Sequence, residues 1–321
     1  MPAVSRRSLL AGAGVAAAAY AASPIIALAA QSPFKIAVIT DEISQDFDHA
    51  CSVASKEFGL QWVELRGMWK KSLHDLSDAE IADALMILNK YSLRVTDIAS
   101  PLFKADWPGA PPTRHASAIH STTPAETFKQ QDAVLARSIA LAKQFNTDKI
   151  RCFDFWRLDD VAPYRSAINT KLHEAAETCG KQGILLVLEN EFECNTATAR
   201  ESVATLAGVP SPNLALNWDA GNAVMRGELD AFPTGWDLLP KQRIRHCHVK
   251  NAVKAIDGKI AWSPVGTGFI DWAAQFKALK QSGYRDAVSL ETHWHGAATP
   301  EESSRISWAG MKQALQDSAT L

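Results

Sequence analysis

The sequence predicts an α/β protein whose residues 31–321 form a single (β/α)8 TIM barrel, and three observations carry that reading. Ile184 to Leu188 is a run of five apolar residues with no alternation, the pattern of a strand covered by helices on both faces. From Lys35 onward, short apolar runs alternate with helical patterns, which is how repeated βα units appear in a sequence. The first strand is followed by Asp41-Glu42-Ile43-Ser44, where a doubly wound nucleotide-binding sheet would show a glycine fingerprint.

The elements follow in order. Lys35 to Thr40 is the first strand, and a helix over 46–58 stops at Gly59. Trp62 to Arg66 is the second strand, and Ser77 with Glu80 three positions on forms a capping box for the next helix. Leu93 to Ser100 is the third strand. A Pro-, Ser- and Thr-containing loop then runs from Pro101 to Pro124, and a loop of that length in a compact domain is usually functional. A helix over 126–145, a strand over 149–153 and a helix over 164–182 lead to the run at Ile184. Leu214 to Trp218, Ile244 to Cys247 and Ala287 to Leu290 are the remaining strands, and 300–315 is the closing helix.

Composition sets limits on function. With 47% hydrophobic and 21% charged residues the chain has material for a large core. A net charge of −2 with no basic run excludes an obvious polyanion partner, so no nucleic acid is expected. Five cysteines in no CxxC pair argue against a disulfide framework. Residues 1–30 carry Arg6-Arg7, an uncharged Ala- and Gly-rich stretch, and an Ala27-Leu28-Ala29 triplet of small-x-small form. They resemble a twin-arginine export signal, which implies a periplasmic protein with no stable membrane insertion after cleavage. An uncleaved anchor is the alternative. Cleavage takes two arginines and no acid, moving the net charge from −2 to −4.

Four successive strands end on a polar residue: Glu189, Asp219, His248 and Glu291, spaced by 30, 29 and 43 residues. The first two spacings match one strand-plus-helix repeat, and the third leaves room for an insertion. In parallel α/β sheets, ligands and catalytic groups collect at the C-terminal strand ends. Three carboxylates and one imidazole suit a divalent ion, Mn²⁺ first, with Co²⁺ or Mg²⁺ as alternatives. The plainer reading is that each residue caps a loop.

The chain resembles the xylose isomerase-like barrels, a family of sugar phosphate isomerases and epimerases. The resemblance spans roughly residues 35–318. It is carried by Val187-Leu188-Glu189-Asn190, Trp218-Asp219-Ala220-Gly221-Asn222, His246-Cys247-His248-Val249-Lys250-Asn251, Pro264-Val265-Gly266-Thr267-Gly268 with Ile270-Asp271-Trp272, and Ser289-Leu290-Glu291-Thr292-His293. Thr40-Asp41-Glu42-Ile43 and Val63-Glu64-Leu65-Arg66 look like the family's first two strand ends. By that resemblance Glu189, Asp219, His248 and Glu291 bind the metal, and Glu189 and Glu291 double as acid/base groups. The chain departs from the family's ketose 3-epimerases. Asn195 stands where they carry a second Glu, Asn222 where they carry a His, and Lys254 where they carry an Arg. Asn251 replaces the Asp that often follows the HxK lysine.

The chemistry explains the residue types. A ketose or oxo-sugar chelating the ion becomes acidic beside its carbonyl, and the resulting enediolate rests its charge on the metal. A carboxylate on either face then removes and returns the proton, giving isomerisation or epimerisation. With a leaving group one carbon further, the same enolate eliminates it, and the protein is a lyase on 3-oxo-glycosides. A non-catalytic periplasmic sugar-binding protein is the third class.

Expected substrate contacts are Lys250, which shares the pleat face of His248, then His293, Glu64, Asn222 and, in the long loop, Lys104. Glu64 and Arg66 read equally well as a structural ion pair, and Arg151 and Arg157 as rim salt bridges. Trp69, Trp107, Trp156 and Trp294 are candidates to stack on a sugar face. His49, His74 and His173 read as surface residues. The expected partner is a small-molecule sugar or oxidised glycoside, with a homo-oligomer possible.

Overall fold

The computed structural model describes residues 32–111 and 124–321. The expected export segment, together with His115 and His120 of the long loop, lies outside the described residues. Eight parallel strands form the barrel: β1 (Lys35–Val38), β2 (Trp62–Leu65), β3 (Arg94–Ile98), β4 (Lys149–Cys152), β5 (Leu185–Glu189), β6 (Leu214–Asp219), β7 (Ile244–Val249) and β8 (Ala287–Leu290). Each strand hydrogen-bonds its sequence neighbour from β2 to β8, β8 pairs with β1, and a parallel bridge from Ile39 to Glu64 closes the ring.

Burial follows from the sequence pattern. Leu186, Val187 and Leu188 of β5 are fully buried, as an unalternating run requires when the barrel interior takes one face and helices the other. The helices are α1 (Phe47–Ser52), α2 (Asp78–Lys90), α3 (Pro124–Gln144), α4 (Arg165–Gly180), α5 (Ala199–Gly208), α6 (Ala220–Met225), α7 (Trp272–Gln281) and α8 (Pro300–Asp317). The Ser77–Glu80 capping box is present, Thr198 and Glu201 form a second, and Thr299 caps α8 ahead of Pro300. Each such cap is worth about 1 kcal/mol. The expected first helix is shorter than the pattern suggested. α1 ends at Ser52 and passes into a wider turn over Val53–Glu57.

Two insertions shape the mouth. After β7 the chain makes an antiparallel ribbon of Asn251–Lys254 against Ile260–Ser263. Asn251 fastens it by accepting from Ile270 N and donating to Ile270 O. After β3 the described start of the long loop is not loose. Leu102, Phe103 and Ala105 are buried, and their carbonyls accept from Phe153, Phe155 and Trp156. All five cysteines are buried free thiols, in keeping with the absence of a disulfide pattern. Among the described residues no helix is long and apolar enough to cross a membrane.

Candidate metal centre

Glu189 and Asp219 end β5 and β6, His248 is the penultimate residue of β7, Glu291 follows β8, and the fold brings their ligand atoms within 4.8 Å of one another. All four residues are buried. His248 Nδ1 faces the group, 3.2 Å from Glu189 Oε1, 3.2 Å from Glu291 Oε2 and 3.5 Å from Asp219 Oδ2. Three carboxylates this close repel one another unless a cation sits among them. Glu189 Oε2 and Asp219 Oδ2 are buried without a hydrogen-bond partner, although both have a cation within ion-pair distance. The oxygen-rich donor set with one imidazole and no thiolate fits a hard or borderline divalent ion.

Cations already lean on these acids. Lys250 Nζ lies 2.8 Å from Asp219 Oδ2 and 2.5 Å from Glu291 Oε2, and it is 1% exposed. Gly221 makes that reach possible, since a Cβ there would stand 2.6 Å from Lys250 Cγ. Arg66 spans three carboxylates, at 3.1 Å from Asp41, 2.7 Å from Glu42 and 3.1 Å from Glu291. Arg151 NH1 lies 3.1 Å from Glu189 Oε2. It is buried inside the mouth, not on the rim, because its other nitrogens donate to the carbonyls of Ala99 and Ser100.

These pairings decide the charge states. Burial pushes the Glu291 carboxyl up, but Lys250, His293 and His248 outweigh it and hold it well below the carboxylate range. Burial likewise works against ionisation of Glu189, and His248 with Arg151 overcomes it and pulls the group down. For Glu42, burial is outweighed by His293 and Arg66, which hold it at about 2. Burial lowers Lys250, yet Asp219 and Glu291 raise it above its ordinary value.

The other expected contacts fall in different places. His293, in a left-handed conformation at φ 47°, keeps Nδ1 3.5 Å from both Glu42 and Glu291. Lys104 pairs with Glu191 at 3.3 Å. Asn222 donates to Glu189 Oε1 at 3.0 Å, so it holds a candidate ligand and caps nothing exposed. Glu64 is fully buried beneath His248, 3.0 Å from its Nε2, and not on the cavity wall beside Arg66. Asn195 is tied to the backbone of Asp154, Phe155, Trp156 and Leu158. His74 is part-buried rather than fully at the surface. It bonds Ser138, and burial lowers it to about 4.

A cavity of about 510 Å³ opens onto Glu291, Arg66, Arg151, Lys104 and His293, with Phe153 among its walls. None of the four tryptophans expected to stack on a sugar is among the lining residues described for it. Trp107 packs on Phe155 and Phe128, and Trp156 is buried. An aromatic ring that the sequence did not single out, Trp262 of the ribbon, stands close to the acids' partners. It lies 5.2 Å edge-on to His293 and 5.1 Å from Lys250 Nζ. It sits inside the post-β7 insertion, which the spacing of strand ends located but whose internal layout it did not reveal.

Comparison with known proteins agrees with the fold. The sequence pattern of the xylose isomerase-like TIM barrel family matches residues 53–314. A search of curated proteins finds no match. Among solved structures, the probable 3-DHS dehydratase AsbF of Bacillus anthracis is 20% identical with a TM-score of 0.63, over 87% of this chain and 97% of that one. A D-allulose 3-epimerase from Methylomonas sp., solved in complex with D-allulose, is 18% identical with a TM-score of 0.65, over 89% and 98%. A Mycobacterium smegmatis barrel in complex with magnesium is 16% identical with a TM-score of 0.62, over 91% and 99%. With its family pattern covering most of the chain, the protein belongs to the xylose isomerase-like TIM barrel family.

Proposed function

We propose that this protein is a divalent-metal-dependent sugar isomerase or epimerase that works by proton abstraction beside a carbonyl. The single observation that supports it most is the convergence of Glu189, Asp219, His248 and Glu291 at one end of the barrel, beside a cavity of sugar size. A divalent ion held there, Mn²⁺ by preference and Co²⁺ or Mg²⁺ otherwise, supplies Lewis-acid polarisation of the substrate carbonyl. Glu189 and Glu291 stand on β5 and beyond β8, so they reach a substrate from two sides of the mouth. Both are held ionised, as a base must be. Glu189 Oε1 is held by Asn222 and His248, while Oε2 faces only Arg151 at ion-pair distance and is the oxygen proposed to take the proton. Glu291 has both oxygens engaged, Oε1 by Arg66 and Oε2 by Lys250, so the proton added on its face comes from the Lys250 ammonium through Glu291, while the proton taken by Glu189 passes to solvent and solvent recharges Lys250. His293, Lys104 and Trp262 border the space where a sugar's remaining hydroxyls would lie.

A second reading is a lyase that eliminates a leaving group from a 3-oxo-glycoside. It is favoured by Asn195 and Asn222, which occupy the positions of two ionisable groups of the 3-epimerases and are locked in hydrogen bonds here. The same proton abstraction serves both reactions. We also propose export to the periplasm on the strength of Arg6-Arg7 and the apolar stretch after them, which favours a non-phosphorylated sugar or oxidised glycoside as substrate. Screening free and oxidised sugars with Mn²⁺-loaded protein in D₂O tests the proposal. Deuterium entering beside the carbonyl with no change of skeleton supports an isomerase or epimerase, and fragmentation supports the lyase. Binding without exchange for every sugar would leave a sugar-binding protein and end the catalytic reading.

A further inference from the structure

Beneath the metal centre the barrel axis holds four ionisable side chains where such barrels normally stack aliphatic layers. His248, Glu64, His246 and Asp97 all have fully buried side chains, and none touches the cavity. They form a file. His248 Nε2 is 3.0 Å from Glu64 Oε1, Glu64 Oε2 is 3.6 Å from His246 Nε2, and His246 Nε2 is 3.0 Å from Asp97 Oδ1. Asn217 lies between the rings: its Oδ1 accepts from His246 Nδ1 at 3.1 Å, and its Nδ2 is 3.1 Å from His248 Nε2. Thr96 donates to Asp97 Oδ1 at 3.0 Å. Burying so many ionisable groups is unfavourable unless they are paired, and the reaction proposed above uses none of Glu64, His246 or Asp97.

The direction of the file gives its use. His248 turns Nδ1 to the carboxylates, so a ligating ring carries its proton on Nε2. That proton needs an acceptor. Of the two groups at Nε2, Glu64 Oε1 can accept that proton, whereas the Asn217 amide nitrogen cannot and is only a neighbour in this tautomer. A carboxylate behind a ligating histidine fixes its tautomer and ring plane and strengthens it as a ligand. We propose that Glu64, backed by the His246–Asp97 pair, is the positioning device that sets His248 for the ion, so that metal affinity is controlled from the barrel interior. His246 Nε2 stands at ion-pair distance from the far oxygen of Glu64 and from Asp97 without a hydrogen bond to either, so the pair backs Glu64 by packing and proximity, and Asn217 fixes the His246 ring.

This inference rests on the metal-centre reading, and the experiment separates the two. Mn²⁺ and Co²⁺ affinities, the Co²⁺ visible spectrum and urea stability without metal are measured for wild type, Glu64→Gln, Asp97→Asn and the double variant. Asp154→Asn serves as control, being an equally buried carboxylate paired with Arg165 away from the centre. Glu64→Gln should weaken metal binding about 10–100-fold and shift the Co²⁺ bands. Asp97→Asn should do the same to a smaller degree, and the double variant should lose less than the two losses combined. The control should lose stability and keep wild-type affinity and spectrum. If Glu64→Gln does not fold, Asp97→Asn alone carries the test. Wild-type affinity and an unchanged spectrum in a folded file variant overturn the inference. So does a stoichiometry of two ions with one lost in Glu64→Gln, which would put an ion where the hydrogen bond is drawn. A wild-type protein that binds no divalent ion overturns the metal-centre reading itself.

Discussion

Two sets of side chains at the barrel mouth carry opposite charge, apart from Lys250, which stands among the acids, and Asp41 and Glu42, which stand beside Arg66. From β5, β6 and the end of β8 come Glu189, Asp219 and Glu291, while from β2 to β4 and the segments after them come Arg66, Lys104 and Arg151. The acids gather around one point. The cations do not meet one another; each reaches across to an acid, Arg66 to Glu291 and Arg151 to Glu189. On the reading proposed above, one side holds a cation and handles protons, and the other keeps those acids ionised and in place. Removing a residue from the first side should affect chemistry, and from the second mainly stability and acid response.

The sharpest way to break that contrast is Glu291→Gln, which keeps the size and one ligand oxygen but removes a base. Turnover should fall about 10²–10⁴-fold while bound metal, read by elemental analysis, stays near the wild-type level. Arg151→Met should give the converse result. It leaves Glu189 as a buried charge without its partner, at a cost of about 3–5 kcal/mol in urea denaturation, with metal still bound. Equal losses of turnover and stability in both variants would erase the distinction between the two sides.

Acid response is the third and smaller contrast. Glu42 is held at about 2 in the folded protein against an ordinary value of 4.5. A depressed carboxylate contributes stability that is fully present above 4.5 and is lost as the pH falls from there towards 2. The shift corresponds to about 3 kcal/mol. Glu42→Gln should flatten the fall in stability between about pH 4.5 and 2, measured by denaturation in metal-free buffer. A slope like the wild type's would show that Arg66 and His293 do not stabilise the ionised form. The smallest effect is expected at the cavity wall. Lys104→Gln should raise KM about tenfold, the worth of one charged hydrogen bond, and leave kcat within about twofold.

The acid side was legible in the sequence and the basic side was not, for a physical reason. A buried strand shows itself as a local apolar run, and its last residue marks the mouth, so Glu189, Asp219, His248 and Glu291 follow from position alone. Arg66 and Arg151 depend on partners on other strands, such as Glu291 far along the chain, and no local pattern displays that pairing. Glu64 shows the limit of the period-two rule. It shares a face with Arg66, but it lies within β2 and one layer deeper, so it points at His248 and not at the cavity. His246 is displaced from His248 in the same way along β7. Periodicity gives the face, and the depth needs the register of the whole barrel. Trp262 escaped because an insertion has no strand-end pattern at all.

The most direct test of the central claim is a crystal structure of the Mn²⁺-loaded protein with anomalous data at the manganese edge. One peak is expected, about 2.0–2.6 Å from His248 Nδ1 and from oxygens of Glu189, Asp219 and Glu291. No peak among these four side chains, or a single peak elsewhere in the barrel, would contradict the account.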